Sequence, residues 1–277
     1  MNKFNTLNTR IITAIFFGII VIALLNINYI TLSIFLLLTG FLTSLEFYKI
    51  KGLFNSNQTY IIIAAILTGV FPGLFQIWFS VLNDKWFILL LILVIIYSII
   101  KVLDLYFNFK NEDSNNISIL GEGILYIGIP IRLILYVIRP EDFILHKLIF
   151  ILILLIWAND SFAYFAGNLF GKRKLMPSVS PKKTIEGLIG GAVMTLVTAI
   201  ILYFIFNIFD IYFFIITAII VSVAGTYGDL VESKLKRNYN IKDSGNLLPG
   251  HGGFLDRFDS FIYTLPYYAL LLAYYIK

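Results

Sequence analysis

The sequence predicts an all-α, polytopic integral membrane protein of about nine transmembrane helices, and three observations carry that reading. Of its 277 residues, 59% are hydrophobic and only 13% are charged, whereas a soluble domain clothes its surface with about 25% charged residues. Apolar stretches near the roughly 20 residues needed to cross a bilayer recur from Ile11 to Ile276, separated by short polar breaks. The lysines and arginines, finally, divide unevenly between alternate loops.

The apolar stretches fall at 11–26, 29–48, 59–80, 86–106, 118–138, 144–168, 185–206, 210–228 and 259–276. The first follows Lys3 and Arg10 and so begins like a secretory signal, but no small-residue cleavage site follows it. It is read as a retained span. The third contains Pro72-Gly73 and is expected to be kinked or short, which neighbouring helices tolerate. With the N-terminus inside, sixteen of the 21 lysines and arginines fall on one side and five on the other. Cytoplasmic loops carry such an excess, so the N-terminus is predicted cytoplasmic and the C-terminus external. The net charge of +5 is thereby assigned to topology rather than to a nucleic-acid partner. Residues 1–110 are read as a membrane-embedded scaffold. Residues 111–277 are read as the catalytic region, with two polar cytoplasmic loops at 169–184 and 229–258.

Zero cysteines exclude disulfides, thiolate zinc sites and thiol nucleophiles, and two histidines, His146 and His251, exclude a His-rich metal site. In the first half, Glu46, Asp104, Glu122 and Arg132 lie within spans or near their ends and are assigned structural roles, with Glu122–Arg132 a candidate pair. His146, near the outer end of the sixth stretch, is read as a snorkelling or capping residue.

The chemistry concentrates in two segments. Asp256 and Asp259 stand three apart at the mouth of the ninth stretch, and in a helix they share a face. Two carboxylates at that depth repel each other and lose hydration, so they call for a cation. Mg²⁺ favours oxygen ligands and commonly takes one or two carboxylates plus substrate phosphates. Asp229 and Glu232 repeat the spacing at the end of the eighth stretch, where they are expected to face the first pair across a cleft. Just upstream, Gly250-His251-Gly252-Gly253 forms a low-bulk turn whose N–H groups can approach a phosphate. Lys236, Arg237 and Lys242 supply positive charge nearby, and phosphoryl transfer is mostly positioning and charge stabilisation.

In the second segment Asn159 and Asp160 interrupt the long sixth stretch, where an ionisable group is costly and functional by default. Ser180, Lys182, Lys183 and Thr184 precede the seventh stretch, so a phosphate there meets both cations and a helix N-terminus. Gly187 and Gly191 form a small-xxx-small pair that predicts close helix packing.

These residues carry a family resemblance. Ser233-x-Leu-Lys236-Arg237-x₄-Lys242-Asp243-x-Gly245-x₂-Leu248-Pro249-x-His251-Gly252-Gly253-Phe254-x-Asp256-Arg257-Phe258-Asp259 resembles the phosphatidate cytidylyltransferase signature, without departure over 27 positions. Asn159-Asp-Ser-Phe-Ala-Tyr-Phe-Ala-Gly and Ser180-Pro-Lys-Lys-Thr-Ile-Glu-Gly resemble the family as well. The resemblance covers roughly 157–260; the N-terminal half shares only hydrophobicity.

It implies an enzyme, a homodimer, that joins CTP to phosphatidic acid in a membrane, releases pyrophosphate and requires Mg²⁺, with a second, monovalent cation such as K⁺. It further implies that Asp229, Asp256 and Asp259 serve the metal. The expected catalytic set is Asp256, Asp259, Asp229, Lys236, Arg237 and His251; Ser180, Lys182, Lys183, Thr184, Lys242, Gly252, Gly253 and Asp160 are expected to bind substrate. Asp160 is left between metal and cytidine. Because the lipid phosphate is itself the nucleophile, the missing cysteines cost nothing. Another CTP-using lipid enzyme, such as a polyprenol kinase, is the nearest rival. A transporter would instead place its charges at the bilayer midplane in two related halves, and here they gather at one face. The site is expected to face the cytoplasm, and the absence of organelle-targeting features favours a bacterial cytoplasmic membrane.

Overall fold

The computed structural model describes residues 18–24, 28–71, 74, 84–108, 115–138, 143–247 and 252–276. Most of the first predicted span, Pro72-Gly73 and the segment 248–251 with Pro249, Gly250 and His251 lie outside the described residues, as do Lys3, Arg10 and the side chain of His146.

The chain folds as a helical bundle. Helix α1 is Tyr29–Ile50, α2 Gln58–Val70, α3 Asp84–Phe107, α4 Asn116–Val137, α5 Phe143–Phe170, α6 Ile185–Phe206, α7 Ile211–Asn238 and α8 Leu255–Ile276. Among the described residues, six of these (α1, α3, α4, α5, α6 and α7) are long and apolar enough to cross a membrane. Strands β1 (Lys174–Met176) and β2 (Ser180–Thr184) form an antiparallel hairpin between α5 and α6, the one departure among the described residues from an all-helical chain.

Helix α8 coincides with the ninth predicted stretch but is less apolar than the six. The reason is its position: most of its length is buried inside the bundle, including Tyr263, Thr264, Leu265 and Tyr268. Its hydroxyls bond internally, Tyr263 Oη to the Ser98 carbonyl at 2.6 Å and Tyr268 Oη to the Leu148 carbonyl at 3.0 Å. A buried hydroxyl needs such a partner.

Helix α7 differs from its predicted span more. It continues through Asn238, ten residues beyond the expected end, so the first third of the 229–258 loop is helix. Its midsection, Val221–Gly225, is a π-turn. Ser260 of α8 donates to the Gly225 carbonyl there at 2.9 Å. One turn on, a Cβ on Gly228 would sit 2.6 Å from the Tyr263 Cβ. Only glycine lets α7 and α8 approach this closely, and the approach brings Asp229 beside Asp259. Close packing also joins α5 to α6, where Cβ atoms on Gly187 and Gly191 would meet Ala163 at 2.8 and 2.9 Å, as the small-xxx-small spacing predicts.

Long-range contacts gather the polar ends. Asp104 at the end of α3 pairs with Lys234 of α7 at 2.9 Å. Lys51, just after α1, pairs with Glu122 of α4 at 2.7 Å, and Lys101 of α3 pairs with the same carboxylate. Those two lysines are the ion-pair partners that the structure gives Glu122 among the described residues. The C-terminal ends of α1, α3, α5 and α7 and the N-terminal ends of α4, α6 and α8 therefore meet at one end of the bundle, where the site lies.

Candidate active site

A cavity of about 1020 Å³ opens at this end between α5, the hairpin, α6, α7 and α8. Asp160 from α5, Lys182, Lys183 and Thr184 from β2, Asp229 and Lys236 from α7, and Asp256 and Asp259 from α8 all line it. Eight residues singled out in two distant segments of sequence are thus brought to one cavity. Apolar and aromatic groups, among them Ile153, Ile156, Trp157, Tyr164 and Phe261, line the rest. A site that buries a nucleotide or a lipid headgroup is of this size and mixed character.

Each acidic group is held by its element. Thr184 caps α6 by accepting the Gly187 N–H at 3.1 Å; its hydroxyl serves the helix, and the neighbouring lysines are left to face the cavity. Lys183 pairs with Asp229 at 2.6 Å, tying hairpin to α7. Asp229 also accepts from Ser233 at 3.1 Å. Asp259 is 7% exposed and lines the same cavity as Asp229 and Asp160. Such a group of carboxylates demands positive charge.

Asp256 is bound on both oxygens. Its Oδ1 accepts from Lys236 at 2.6 Å, and its Oδ2 accepts from the N–H groups of Gly253 at 2.8 Å and Ser244 at 2.9 Å. Burial alone would raise the Asp256 carboxyl, but the Lys236 ammonium and these two N–H groups outweigh it and hold the group below the usual carboxylate range. Lys236 also contacts Glu232, which is 0% exposed, at 2.5 Å. That contact is an ion pair without hydrogen-bond alignment, since neither Glu232 oxygen has a hydrogen-bond partner.

Several expected site residues lie elsewhere. The Gly253 N–H is turned onto Asp256 rather than toward the cavity. Gly252 has φ +86°, a left-handed turn that glycine accommodates. Ser180 pairs with Met176 across the hairpin. Arg237 holds the hairpin turn and its own loop through the carbonyls of Val179 at 3.4 Å and Ile241 at 3.1 Å. Lys242 is exposed. None of these five lines the cavity, and His251 falls outside the described residues. Conversely, Lys174 and Arg257 do line it and were absent from the expected set.

Residues 8–275 match the cytidylyltransferase family. The chain belongs to that family. Among its relatives, a phosphatidate cytidylyltransferase of Staphylococcus haemolyticus (strain JCSC1435) is 34% identical over 278 residues, covering 96% of this chain and 99% of that protein. One of Staphylococcus aureus (strain COL) is 35% identical over 91% of this chain and 96% of that protein. One of Bacillus subtilis (strain 168) is 54% identical over 127 residues, 45% of this chain and 47% of that protein. The family match reaches back through α1, so the N-terminal helices belong to the same enzyme as the signature, although hydrophobicity alone carried no such information.

Proposed function

We propose that the chain transfers the cytidylyl group of CTP to phosphatidic acid, giving CDP-diacylglycerol and pyrophosphate. The observation that carries this reading is the shared cavity: carboxylates from α5, α7 and α8 and lysines from the hairpin and α7 meet apolar groups on its walls. Full-length similarity to the named relatives supports the acceptor. A phosphate oxygen of the lipid attacks the α-phosphorus of CTP, the α–β P–O bond breaks, and pyrophosphate leaves with the electron pair. The nucleophile is already anionic, so the protein's task is to position and neutralise. Lys182, exposed beside the cavity, and Lys183 supply charge to phosphate. Lys236 holds Asp256 in place.

The residues fit a magnesium ion. Asp229 and Asp256 each already hold a cation, a lysine ammonium at 2.6 Å, and the donors are hard carboxylate oxygens. Among the described residues no group of three His, Cys, Asp or Glu side chains stands ready to hold a metal ion, so substrate phosphates would have to complete the coordination of an ion that commonly takes one or two carboxylates. Of Asp229, Asp256 and Asp259, the ligands that the resemblance implies, one or two would hold it together with substrate phosphate, and when bound it would add positive charge at the triphosphate. A second cation such as K⁺ and a homodimer rest on the family resemblance. Placing the cavity at the cytoplasmic face of a bacterial membrane rests on the excess of lysine and arginine in the loops that meet there.

Separate labelling of CTP at the α- and γ-phosphorus tests the reaction class on purified protein with phosphatidic acid. The expected result is lipid label from α-labelled CTP only. Lipid label from γ-labelled CTP would mean a kinase and overturn the proposal.

A further inference from the structure

A buried carboxylate in the first described helix reaches into the catalytic loop. Glu46, near the end of α1 and 5% exposed, has no ion-pair partner among the described residues. Its oxygens are instead spent on one short arc of chain about two hundred residues away. Oε1 accepts the Phe254 N–H at 2.9 Å, and Oε2 accepts the Leu255 N–H at 2.8 Å and the Ser244 hydroxyl at 2.6 Å. Helix α8 begins at Leu255, so the carboxylate supplies acceptors to N–H groups that the helix itself leaves unpaired and sits at the positive end of its dipole.

The consequence for Asp256 is direct. The Ser244 hydroxyl that donates to Glu46 also accepts the Asp256 N–H at 3.3 Å, and the Ser244 N–H donates to Asp256 Oδ2 at 2.9 Å. Glu46 therefore fixes the rotor of a serine that grips Asp256 at both backbone and side chain. Two glycines make room for it. A Cβ on Gly245 would lie 2.5 Å from Glu46 Oε1, and one on Gly253 would lie 2.5 Å from Oε2 and 1.9 Å from the Ser244 Oγ. Both glycines stand in the signature stretch, and their small size answers to a residue outside it. A charge kept inside a helix bundle with only neutral donors is costly unless those donors are well placed.

We infer that Glu46 is a positioning residue for the reaction: through Ser244 and the first N–H groups of α8 it sets where the Asp256 carboxylate points into the cavity. The inference rests on the function proposed above and on Asp256 serving the metal site. Groups that orient a metal ligand typically cost 10–100-fold in metal affinity or activity when changed.

The test uses purified full-length Glu46→Gln, which keeps the shape but turns one oxygen into a donor facing other donors. Two readouts are taken: turnover against Mg²⁺ concentration at saturating CTP and phosphatidic acid, and the rise in melting temperature as Mg²⁺ is added in the presence of CTP. The expected result is a kcat loss and a rise in half-saturating Mg²⁺ of about tenfold or more, with the melting-temperature titration displaced in parallel. Leu36→Ala, a buried apolar truncation on the same helix, serves as a destabilised control and should leave both Mg²⁺ midpoints in place. Should Glu46→Gln fail to fold, Ser244→Ala decides, because it breaks the bridge to Asp256 and spares the bonds from Glu46 to Phe254 and Leu255; a several-fold displacement is then expected. Wild-type Mg²⁺ midpoints in whichever variant folds would reduce Glu46 to a structural anchor and overturn the inference. A wild-type enzyme indifferent to Mg²⁺ would overturn the metal reading itself, a distinct outcome.

Discussion

Replacing Lys236 with methionine keeps the apolar stem and deletes the ammonium group shared by Glu232 and Asp256. The two ion pairs that this breaks measure 2.5 and 2.6 Å, and the three side chains are 11%, 0% and 9% exposed for Lys236, Glu232 and Asp256 respectively. At such burial, screening by water gives little relief, and removing one partner of a buried pair costs about 3–5 kcal/mol because the other charge stays behind uncompensated. For a chain of this size that corresponds to a melting-temperature loss on the order of 10 °C. The assay is a thermal melt in detergent at a fixed scan rate, since membrane proteins often unfold irreversibly and their melting point then depends on rate. A second variant sharpens it. In Lys236→Met with Glu232→Gln the most deeply buried orphan charge is gone, so roughly half of the loss should return. A loss below about 2 °C in the single variant, or no recovery in the double variant, would refute the claim that this lysine neutralises a buried carboxylate pair.

Further outcomes follow from the same geometry. Gly228→Ala should lower stability by about 1–3 kcal/mol through overpacking against Tyr263, and should lower turnover as well, because it parts α7 from α8 where Asp229 meets Asp259; thermal melts and a turnover assay check the two effects. Thr184→Ala removes the cap of α6 at a cost of about 1 kcal/mol and should leave turnover at permissive temperature within a few-fold of wild type. Asp229→Asn frees Lys183 from its ion pair and should raise half-saturating Mg²⁺ by about tenfold or more, read by titrating the metal against initial rate.

The helical membrane class was legible because hydrophobicity recurs at bilayer length. Close packing of α5 on α6 was legible from Gly187 and Gly191. The convergence of Asp160, Lys183, Asp229 and Asp259 could be anticipated because each interrupts or borders an apolar run, where charge is expensive. What was hidden depends on partners far along the chain. Residues 229–238 turn polar, so they read as loop, yet they continue α7 as an amphipathic helix whose Glu232 and Lys236 pair one turn apart. Lys174–Met176 and Ser180–Thr184 are too short, and too interrupted by Pro177 and Pro181, to announce a hairpin. Lys236 reads as a phosphate cation until Asp256, twenty positions on, is seen to hold it. Glu46 carried one signal, a lone carboxylate inside an apolar run, and only the three-dimensional structure shows the loop it serves.

The most direct test of the central claim is incorporation of radiolabelled CTP into lipid by purified protein, with phosphatidic acid and Mg²⁺ each omitted in turn and Asp259→Asn run beside the wild type. The account predicts labelled CDP-diacylglycerol only when both are present, and none from the variant although it folds. Label formed without phosphatidic acid, or by Asp259→Asn at the wild-type rate, would contradict it.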